Sequence, residues 1–216
     1  MLRKESTERH QRKPPPVHFK TSPLGSLMKT ISTVLAMVVC LAAVDAVNAF
    51  DRTLYNFNAP LSAGQFRTVN DGVMGGRSDG RIKINAYKNL EFYGTLSLEN
   101  NGGFASFRSG QSNLGLKAGD AIELRVRGDG REYNFNLYSG NRTFRKSFQT
   151  IAGEWVVVRL PIDQFVATFR GRTMRNVPMD PARLNRLGIQ LGDKKPGPFK
   201  LEVEWIKSAS GNTVGR

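Results

Sequence analysis

The sequence predicts an all-β fold, an antiparallel β-sandwich with one or two short helical turns. Apolar and polar residues alternate with a period of two in several segments, for example Ile122–Arg127 and Phe199–Trp205. This pattern is typical of strands with one buried and one solvated face. Turn-forming Gly, Asn and Pro residues separate the segments, and many short strands at regular spacing favour a sandwich or a barrel.

The predicted strands follow one another along the chain, with little helical periodicity between them. They are Ile82–Ile84, Leu90–Glu99, Phe104–Arg108, Ile122–Arg127, Tyr133–Leu137, Trp155–Leu160, Leu187–Leu191 and Phe199–Trp205. Trp205 is in phase with Phe199 and Val203, so it is predicted to lie in the core. Trp155 begins a run of valines and is predicted to be buried as well.

The segments between the strands carry turn and cap signals. Gly128-Asp129-Gly130 separates two alternating runs and predicts a tight hairpin, and Ser139-Gly140-Asn141 has a similar composition. The best helix candidate begins at Asp180, which can act as N-cap, with Pro181 at the first helical position. We find no internal repeat and no interdomain linker, so residues 50–216 are predicted to form a single domain.

The first 49 residues are predicted to be a leader rather than part of the fold. Met1–Leu27 is polar, basic and proline-bearing, and we expect it to be a disordered upstream extension. Met28–Ala49 has a charged start, a short apolar stretch and small residues at its end, which predicts a signal peptide cleaved near Ala49. We therefore expect an exported protein, periplasmic or secreted, with no membrane span in the mature chain; the alternative is a signal anchor.

The mature sequence excludes several common kinds of site. It contains no cysteine and no histidine, because Cys40, His10 and His18 all lie upstream of residue 50. Cysteine nucleophiles, Ser-His-Asp triads and zinc sites built on thiolate or imidazole are therefore excluded, and we expect no cofactor and no metal. The leader holds seven Lys/Arg and three Asp/Glu, so the remainder keeps a net charge of +10. This charge favours anionic partners or simply solubility; nucleic acid is not expected for an exported protein.

The most specialised segment is Asn70–Ser78, which reads NDGVMGGRS between two predicted strands. Its three glycines supply backbone freedom, and its first three residues are a strong turn signal. Two interpretations remain open. The loop binds a partner through backbone amides and Asn70, Asp71 and Arg77, or it closes one end of the fold. A calcium site at Asp71 and Asp79 has only weak support, because their spacing matches no EF-hand.

Two further places hold candidate binding residues. The segment Ile162–Asn185 interleaves arginines with aromatics, so Arg170 and Arg172 are candidates for an anion-binding face, or for a solvated loop. Tyr138 lies on the opposite face of its strand from Phe135, so it is predicted to be exposed and able to stack on a sugar. A carboxylate-dependent hydrolase is a third hypothesis, because glycosidases need no histidine.

Several of these segments together resemble the complex I intermediate-associated protein 30 family. They are Asn70–Ser78, Asn101–Ser106, Arg127–Tyr133, Phe169–Arg172, Leu187–Ile189 and Gly197–Phe199, and the resemblance spans Phe57–Ser208. It implies a galactose-binding-like sandwich of jelly-roll type. It also implies a non-catalytic protein-binding module similar to assembly factors of a membrane respiratory complex, NADH:ubiquinone oxidoreductase. Related sandwiches include many carbohydrate binders, so a carbohydrate-binding module is the alternative.

Overall fold

The computed structural model describes residues 51–58 and 65–211, and these form the antiparallel β-sandwich that the sequence predicts. The predicted leader, residues 1–49, lies outside the described residues. The strands are β1 (Arg52–Asn56), β2 (Phe66–Thr68), β3 (Asp79–Ile84), β4 (Leu90–Leu96), β5 (Ala105–Ser109), β6 (Ala121–Arg127), β7 (Glu132–Ser139), β8 (Arg142–Gln149), β9 (Trp155–Pro161), β10 (Val166–Phe169), β11 (Arg172–Thr173), β12 (Arg186–Leu191) and β13 (Gly197–Ala209).

The strands form two sheets whose pairings are all antiparallel. The first sheet has the order β3-β4-β13-β6-β9, with β1 also pairing with β13. The second has the order β11-β10-β8-β7-β12-β5-β2. Antiparallel sheets can present one face to the core and the other to solvent, which accounts for the period-two pattern of β6 and β7.

Aromatic side chains join the two sheets through the core. Phe92 of β4 and Phe107 of β5 are fully buried, with ring centroids 5.1 Å apart in an edge-to-face arrangement. Phe199 of β13 packs on Phe92 with a centroid distance of 4.8 Å. Such pairs add about 0.5–1.5 kcal/mol beyond the burial of their area, so this cluster fixes how the sheets face each other.

Helical structure within the described residues is limited to 3-10 turns. They are Asp71–Met74, Glu99–Asn101, Ile162–Gln164 and Pro181–Arg183. The turn predicted after Asp180 is confirmed, since the Asp180 side chain accepts a hydrogen bond from the Ala182 backbone N–H. No helix in the described part of the chain is long and apolar enough to cross a membrane.

The predicted hairpin at Gly128–Gly130 is wrong. The segment connects β6 in the first sheet to β7 in the second, and the two strands do not pair. The Asp129 carboxylate accepts hydrogen bonds from the Tyr133 hydroxyl, at 3.1 Å, and from the Lys200 backbone N–H, at 2.9 Å. Gly128 and Gly130 therefore lie in a connection that crosses from the first sheet to the second.

The predicted burial of both tryptophans is also wrong. A bulge lies between Val203 and Trp205 in β13, and it moves Trp205 onto the outer face beside Arg125. Trp155 pairs in register with Arg127, also on the outer face of the first sheet. Both tryptophans are only partly buried.

Candidate functional site

The loop Asn70–Ser78 connects β2 to β3 and folds around a short 3-10 turn. The turn ends at Gly75, whose φ of 86° is left-handed and suits glycine. The Gly75 and Gly76 backbone N–H groups each donate at 3.1 Å, to the carbonyls of Gly72 and Asp71 respectively. Glycine-rich composition thus produces a closed turn.

Asp71 is the centre of this loop end. Its side chain is fully buried, and its carboxylate accepts hydrogen bonds from four donors. These are the Ser78 N–H at 2.9 Å, the Ser78 hydroxyl at 2.5 Å, the Gly103 N–H at 2.6 Å and the Phe104 N–H at 3.2 Å. Asp71 therefore ties the β2–β3 loop to the segment between β4 and β5.

The hydrogen bonds set the charge state of Asp71. Burial works to raise the pKa of its carboxyl, but the bonds from Ser78, Gly103 and Phe104 outweigh burial and hold that pKa below its ordinary value. The carboxylate is thus ionised at neutral pH and has no easily freed lone pairs. This arrangement suits a structural anchor better than a reacting group.

Two positions must be glycine because they lie against the Asp71 side chain. A Cβ at Gly76 would lie 2.5 Å from the Asp71 Cγ, and one at Gly102 would lie 2.7 Å from the Asp71 Oδ2. Real Cβ atoms do not approach side chains this closely, so both positions need glycine. The glycine pattern of the loop is explained by packing around the buried carboxylate.

Asn70 also faces inward. Its side-chain N–H donates to the Gly80 carbonyl at 2.9 Å, and its Oδ1 is buried without a hydrogen-bond partner. The binding interpretation expected Asn70 and Asp71 to face a partner, but both side chains point into the domain. For these two residues the structure favours the interpretation in which the loop closes one end of the fold.

Arg77 lies on the surface of the same loop, as a binding residue would. Its guanidinium donates to the Glu99 carboxylate at 2.7 Å, and both side chains are more than three-fifths exposed. The Asn100 side-chain N–H also donates to the Gly75 carbonyl at 3.2 Å. These contacts hold the segment Ser97–Asn101 beside the loop.

Two exposed apolar residues in this loop were not among the predicted binding residues. Val73 is 74% exposed and Met74 is 66% exposed, and both belong to the turn anchored by Asp71. Leu98, 40% exposed, lies in the neighbouring segment. We call Val73, Met74 and Leu98 the loop-end surface. The sequence did contain a signal for their exposure, namely two adjacent apolar residues inside a turn-forming segment. Such residues do not belong to a regular strand or helix with a face that packs on the core.

Tyr138 lies on the outer face of the second sheet, as predicted, but it is not exposed. Only 6% of its surface is accessible, because the Arg108 guanidinium lies over its ring, 4.9 Å from the centroid. A sugar could not stack on this ring without displacing Arg108. The prediction that Tyr138 is available for stacking is therefore wrong.

Arg170 and Arg172 lie in a hairpin at the edge of the second sheet. Phe169 pairs with Arg172, so the turn consists of Arg170 and Gly171, both with positive φ, as tight hairpin turns require. Both arginines are exposed, and Arg170 lies 5.4 Å from the centroid of the Phe169 ring. The segment Ile162–Asn185, predicted to be irregular, thus contains strands β10 and β11. The structure does not bring these arginines to the loop end.

A groove of about 470 Å³ opens on the outer face of the first sheet. Its lining residues are Asn58, Tyr87, Asn89, Arg125, Arg127, Trp155 and Glu204. Tyr87 is 76% exposed, while the guanidinium groups of Arg125 and Arg127 each lie 5.1 Å from the centroid of the Trp155 ring. No group of three or more acidic, Cys or His side chains placed to hold a metal occurs in residues 51–58 and 65–211.

Solved structures share the fold. A family 11 carbohydrate-binding module from Clostridium thermocellum, in complex with a β-1,3-1,4-mixed-linked tetrasaccharide, matches with a TM-score of 0.58. It is 13% identical and covers 74% of this chain and 96% of its own. At this identity the likeness concerns the sandwich alone.

Curated relatives correct the predicted location. The complex I intermediate-associated protein 30, mitochondrial, of Mus musculus is 26% identical over 181 residues, which cover 72% of this chain and 55% of the relative. Its Drosophila melanogaster counterpart is 22% identical, with 71% and 61% covered. This chain thus spans a little over half the length of these relatives. Because both are named mitochondrial, the prediction of an exported, periplasmic or secreted protein is wrong. A basic segment followed by an apolar run does not identify the compartment.

The family comparison covers the sandwich itself. The model of the complex I intermediate-associated protein 30 family matches residues 55–203. These residues include the Asn70–Ser78 loop and its anchor Asp71. The chain therefore belongs to the complex I intermediate-associated protein 30 family.

Proposed function

We propose that this domain is a non-catalytic protein-binding module that acts in the assembly of respiratory complex I. The observation that carries the proposal is the family match over residues 55–203, together with the names of the curated relatives. The inward-facing carboxylate of Asp71 also supports a role without catalysis, because four hydrogen bonds already occupy it.

We place the docking site at the loop-end surface of Val73, Met74 and Leu98. The cores of protein interfaces are poor in charge and enriched in Met, and their rims are polar. Val73 and Met74 supply exposed apolar area, and the Arg77–Glu99 pair lies beside them as a polar rim. The anchoring of the turn by Asp71 keeps the apolar pair in one conformation, which lowers the entropy lost on binding.

Affinity capture with loop-end variants tests this proposal. The tagged protein and a Val73→Ser/Met74→Ser variant are incubated with detergent-solubilised respiratory membranes, and bound complex I subunits are quantified by mass spectrometry. A matched control, Ile151→Ser/Val157→Ser, removes two apolar side chains that are 50% and 59% exposed elsewhere. We expect the loop-end variant to lose about tenfold or more of the captured subunits, as hot-spot residues do, while the control keeps them.

Two results would count against the proposal in different ways. Equal capture by all three proteins would overturn the loop end as the docking site. Failure of the unaltered protein to capture any complex I subunit would overturn the assembly role itself.

A carbohydrate-binding module is the second candidate, favoured by the groove around Trp155. Aromatic rings and amide side chains, here Trp155, Tyr87, Asn58 and Asn89, suit a flat polyhydroxylated ligand that has both polar and apolar faces. We rank this function second because the guanidinium groups of Arg125 and Arg127 lie over the Trp155 ring, and a stacked sugar would have to displace them. Binding to a glycan array that is lost in Tyr87→Ala would favour this function.

A further inference from the structure

Three arginines lie around Tyr138 on the outer face of the second sheet, away from the loop-end surface and from the groove. They are Arg108 of β5, Arg145 of β8 and Arg186 of β12. Arg67 of β2, opposite Arg108 in the register, lies on the same face. Their strand neighbours Phe107, Phe144 and Leu187 face the core and are buried. Since side chains alternate along a strand, the three arginines share the opposite face. We call this set the arginine face.

The arginine face is organised around Tyr138. Arg186 is directly opposite Tyr138 in the register of β12 and β7, and the Arg108 guanidinium covers the ring from the other side of β12, at 4.9 Å. Arg145 is paired with Asn136, the neighbouring outward residue of β7. Burial raises the pKa of the Tyr138 hydroxyl, and all three guanidinium groups are close enough to oppose part of that rise.

Gly188 makes this arrangement possible. It lies between Arg108 and Asn136 in the register of β5, β12 and β7. A Cβ at Gly188 would lie 3.3 Å from the Arg108 Cγ and 2.3 Å from the Phe107 carbonyl oxygen. Without a side chain at this position, Arg108 can extend across β12 towards Tyr138.

The three positive charges lack carboxylate partners among the described residues. Arg145 donates only to neutral acceptors, to the Asn136 Oδ1 at 3.1 Å and the Gln190 Oε1 at 2.6 Å. The Nε–H groups of Arg108 and Arg186 are buried and have no acceptor. The nearest carboxylate on this face of β7, Glu132, is four residues from Asn136, which is about 13 Å along an extended strand.

The outward arginines of the first sheet, in contrast, have carboxylate partners. Arg127 pairs with Glu202, Arg125 with Glu204 and Arg159 with Glu123. The arginine face thus gathers like charges in a partly buried place where buried ions normally have partners. An anion bound on this face would relieve the repulsion among the guanidinium groups.

We infer that Arg108, Arg145 and Arg186 form a binding site for a phosphate group. Guanidinium groups present several N–H donors in a planar fork that matches phosphate oxygens. A phosphate monoester carries close to two negative charges and three acceptor oxygens, which suits three guanidinium groups better than a single carboxylate does. A recess of about 270 Å³ opens beside Arg186 and is also lined by Arg67, Gln65 and Ser109. It is slightly smaller than the pockets of about 300–1,000 Å³ that hold whole ligands, so it fits the group attached to the phosphate.

A titration of the full chain with glycerol 3-phosphate tests the site directly. The arginine Nε–H resonances are followed by NMR at constant ionic strength, with acetate and chloride as competing probes. We expect the signals of Arg108 and Arg186 to shift saturably with glycerol 3-phosphate and not with acetate. A lack of saturable shifts, or an equal response to acetate, would overturn the phosphate site.

Variants separate this site from general attraction to a basic protein. Arg108→Gln and Arg186→Gln should each weaken binding by about tenfold or more, because each removes a charged hydrogen-bonding group. Arg186→Lys should weaken binding too, since lysine keeps the charge but lacks the planar fork. The matched control Arg81→Gln, at an exposed position on β3 of the first sheet, should bind within about twofold of the unaltered protein. Equal losses in the control would overturn the inference.

The source of the phosphate is distinguished by a second arm. Vesicles of phosphatidylcholine with and without phosphatidic acid are sedimented with the protein. Sedimentation that requires phosphatidic acid and is lost in Arg108→Gln identifies a lipid headgroup. Saturable binding of glycerol 3-phosphate without vesicle binding identifies a soluble phosphate ester. Failure of both arms contradicts the site.

Discussion

The Asp71 carboxylate accepts a 2.6 Å hydrogen bond from the Gly103 backbone N–H, although 32 positions separate the two residues. This contact joins the β2–β3 loop to the β4–β5 connection, and both of these segments cross from one sheet to the other. Removing the charge should therefore destabilise the whole domain. For Asp71→Asn we expect a loss of about 2–4 kcal/mol in the free energy of unfolding, because buried N–H donors lose a charged acceptor. Urea denaturation measures this loss.

Asp163→Asn is the control for this substitution, since Asp163 is exposed and its change should stay within about 0.5 kcal/mol. If the two variants are equally stable, Asp71 is not the anchor of the loop end.

The effect of Asp71→Asn should depend on pH. The folded-state pKa of Asp71 lies below its ordinary value, so folding is favoured by its ionised form. That contribution is fully present above the unfolded-state pKa of about 4 and is lost as the pH falls through the lower folded-state pKa. We expect the stability difference between the unaltered protein and Asp71→Asn to shrink steadily below about pH 4. Urea denaturation at pH values from neutral to strongly acidic checks this, and a constant difference would contradict it.

Two glycines of one loop should respond oppositely to alanine. A Cβ at Gly76 would meet Asp71 at 2.5 Å, so Gly76→Ala should destabilise by about 1–3 kcal/mol through overpacking. A Cβ at Gly72 meets nothing within 4 Å, and Gly72→Ala should be neutral or stabilise by up to about 1 kcal/mol. Thermal and urea unfolding of both variants decide the matter, and similar changes would show that the Asp71 contact does not determine the glycine pattern.

A buried and an exposed ion pair should contribute differently to the free energy of unfolding. Arg131 binds Asp193 through two hydrogen bonds, of 2.7 and 3.0 Å, with both side chains about nine-tenths buried or more. Breaking this pair by Asp193→Asn should destabilise by about 3–5 kcal/mol, because a buried guanidinium loses its partner. Arg77→Met breaks the exposed pair with Glu99 and should change stability by less than about 1 kcal/mol. Chemical denaturation of the two variants checks the contrast, and equal changes would contradict it.

The alternation pattern predicted the fold because it reports directly on which face of a strand is buried. In β6, Ile122, Leu124 and Val126 are all fully buried. The pattern failed at Trp205, where a one-residue bulge reverses the phase and leaves no mark in composition. It also failed at Gly128–Gly130, because a turn sequence does not specify whether the next strand pairs in the same sheet.

The site residues were harder to predict than the strands, since their roles depend on distant partners. Composition identified the loop Asn70–Ser78 as special, but the donors to Asp71 at Gly103 and Phe104 come from another connection. The burial of Tyr138 likewise depends on Arg108, which lies on a different strand. Only the three-dimensional register brings these pairs together.

Strand β13 has a consequence for how the domain forms during synthesis. It is the central strand of the first sheet and pairs with β1, β4 and β6, all of which precede it in the chain. A ribosome must therefore release residues 197–209 before the β3–β4 and β6–β9 pairs can join into one sheet, and the first sheet stays divided until then. Long-range pairing of this kind slows folding and prolongs the exposure of unpaired edges. Chaperones that hold nascent chains therefore have a long interval in which to bind β4 and β6 before β13 covers their edges.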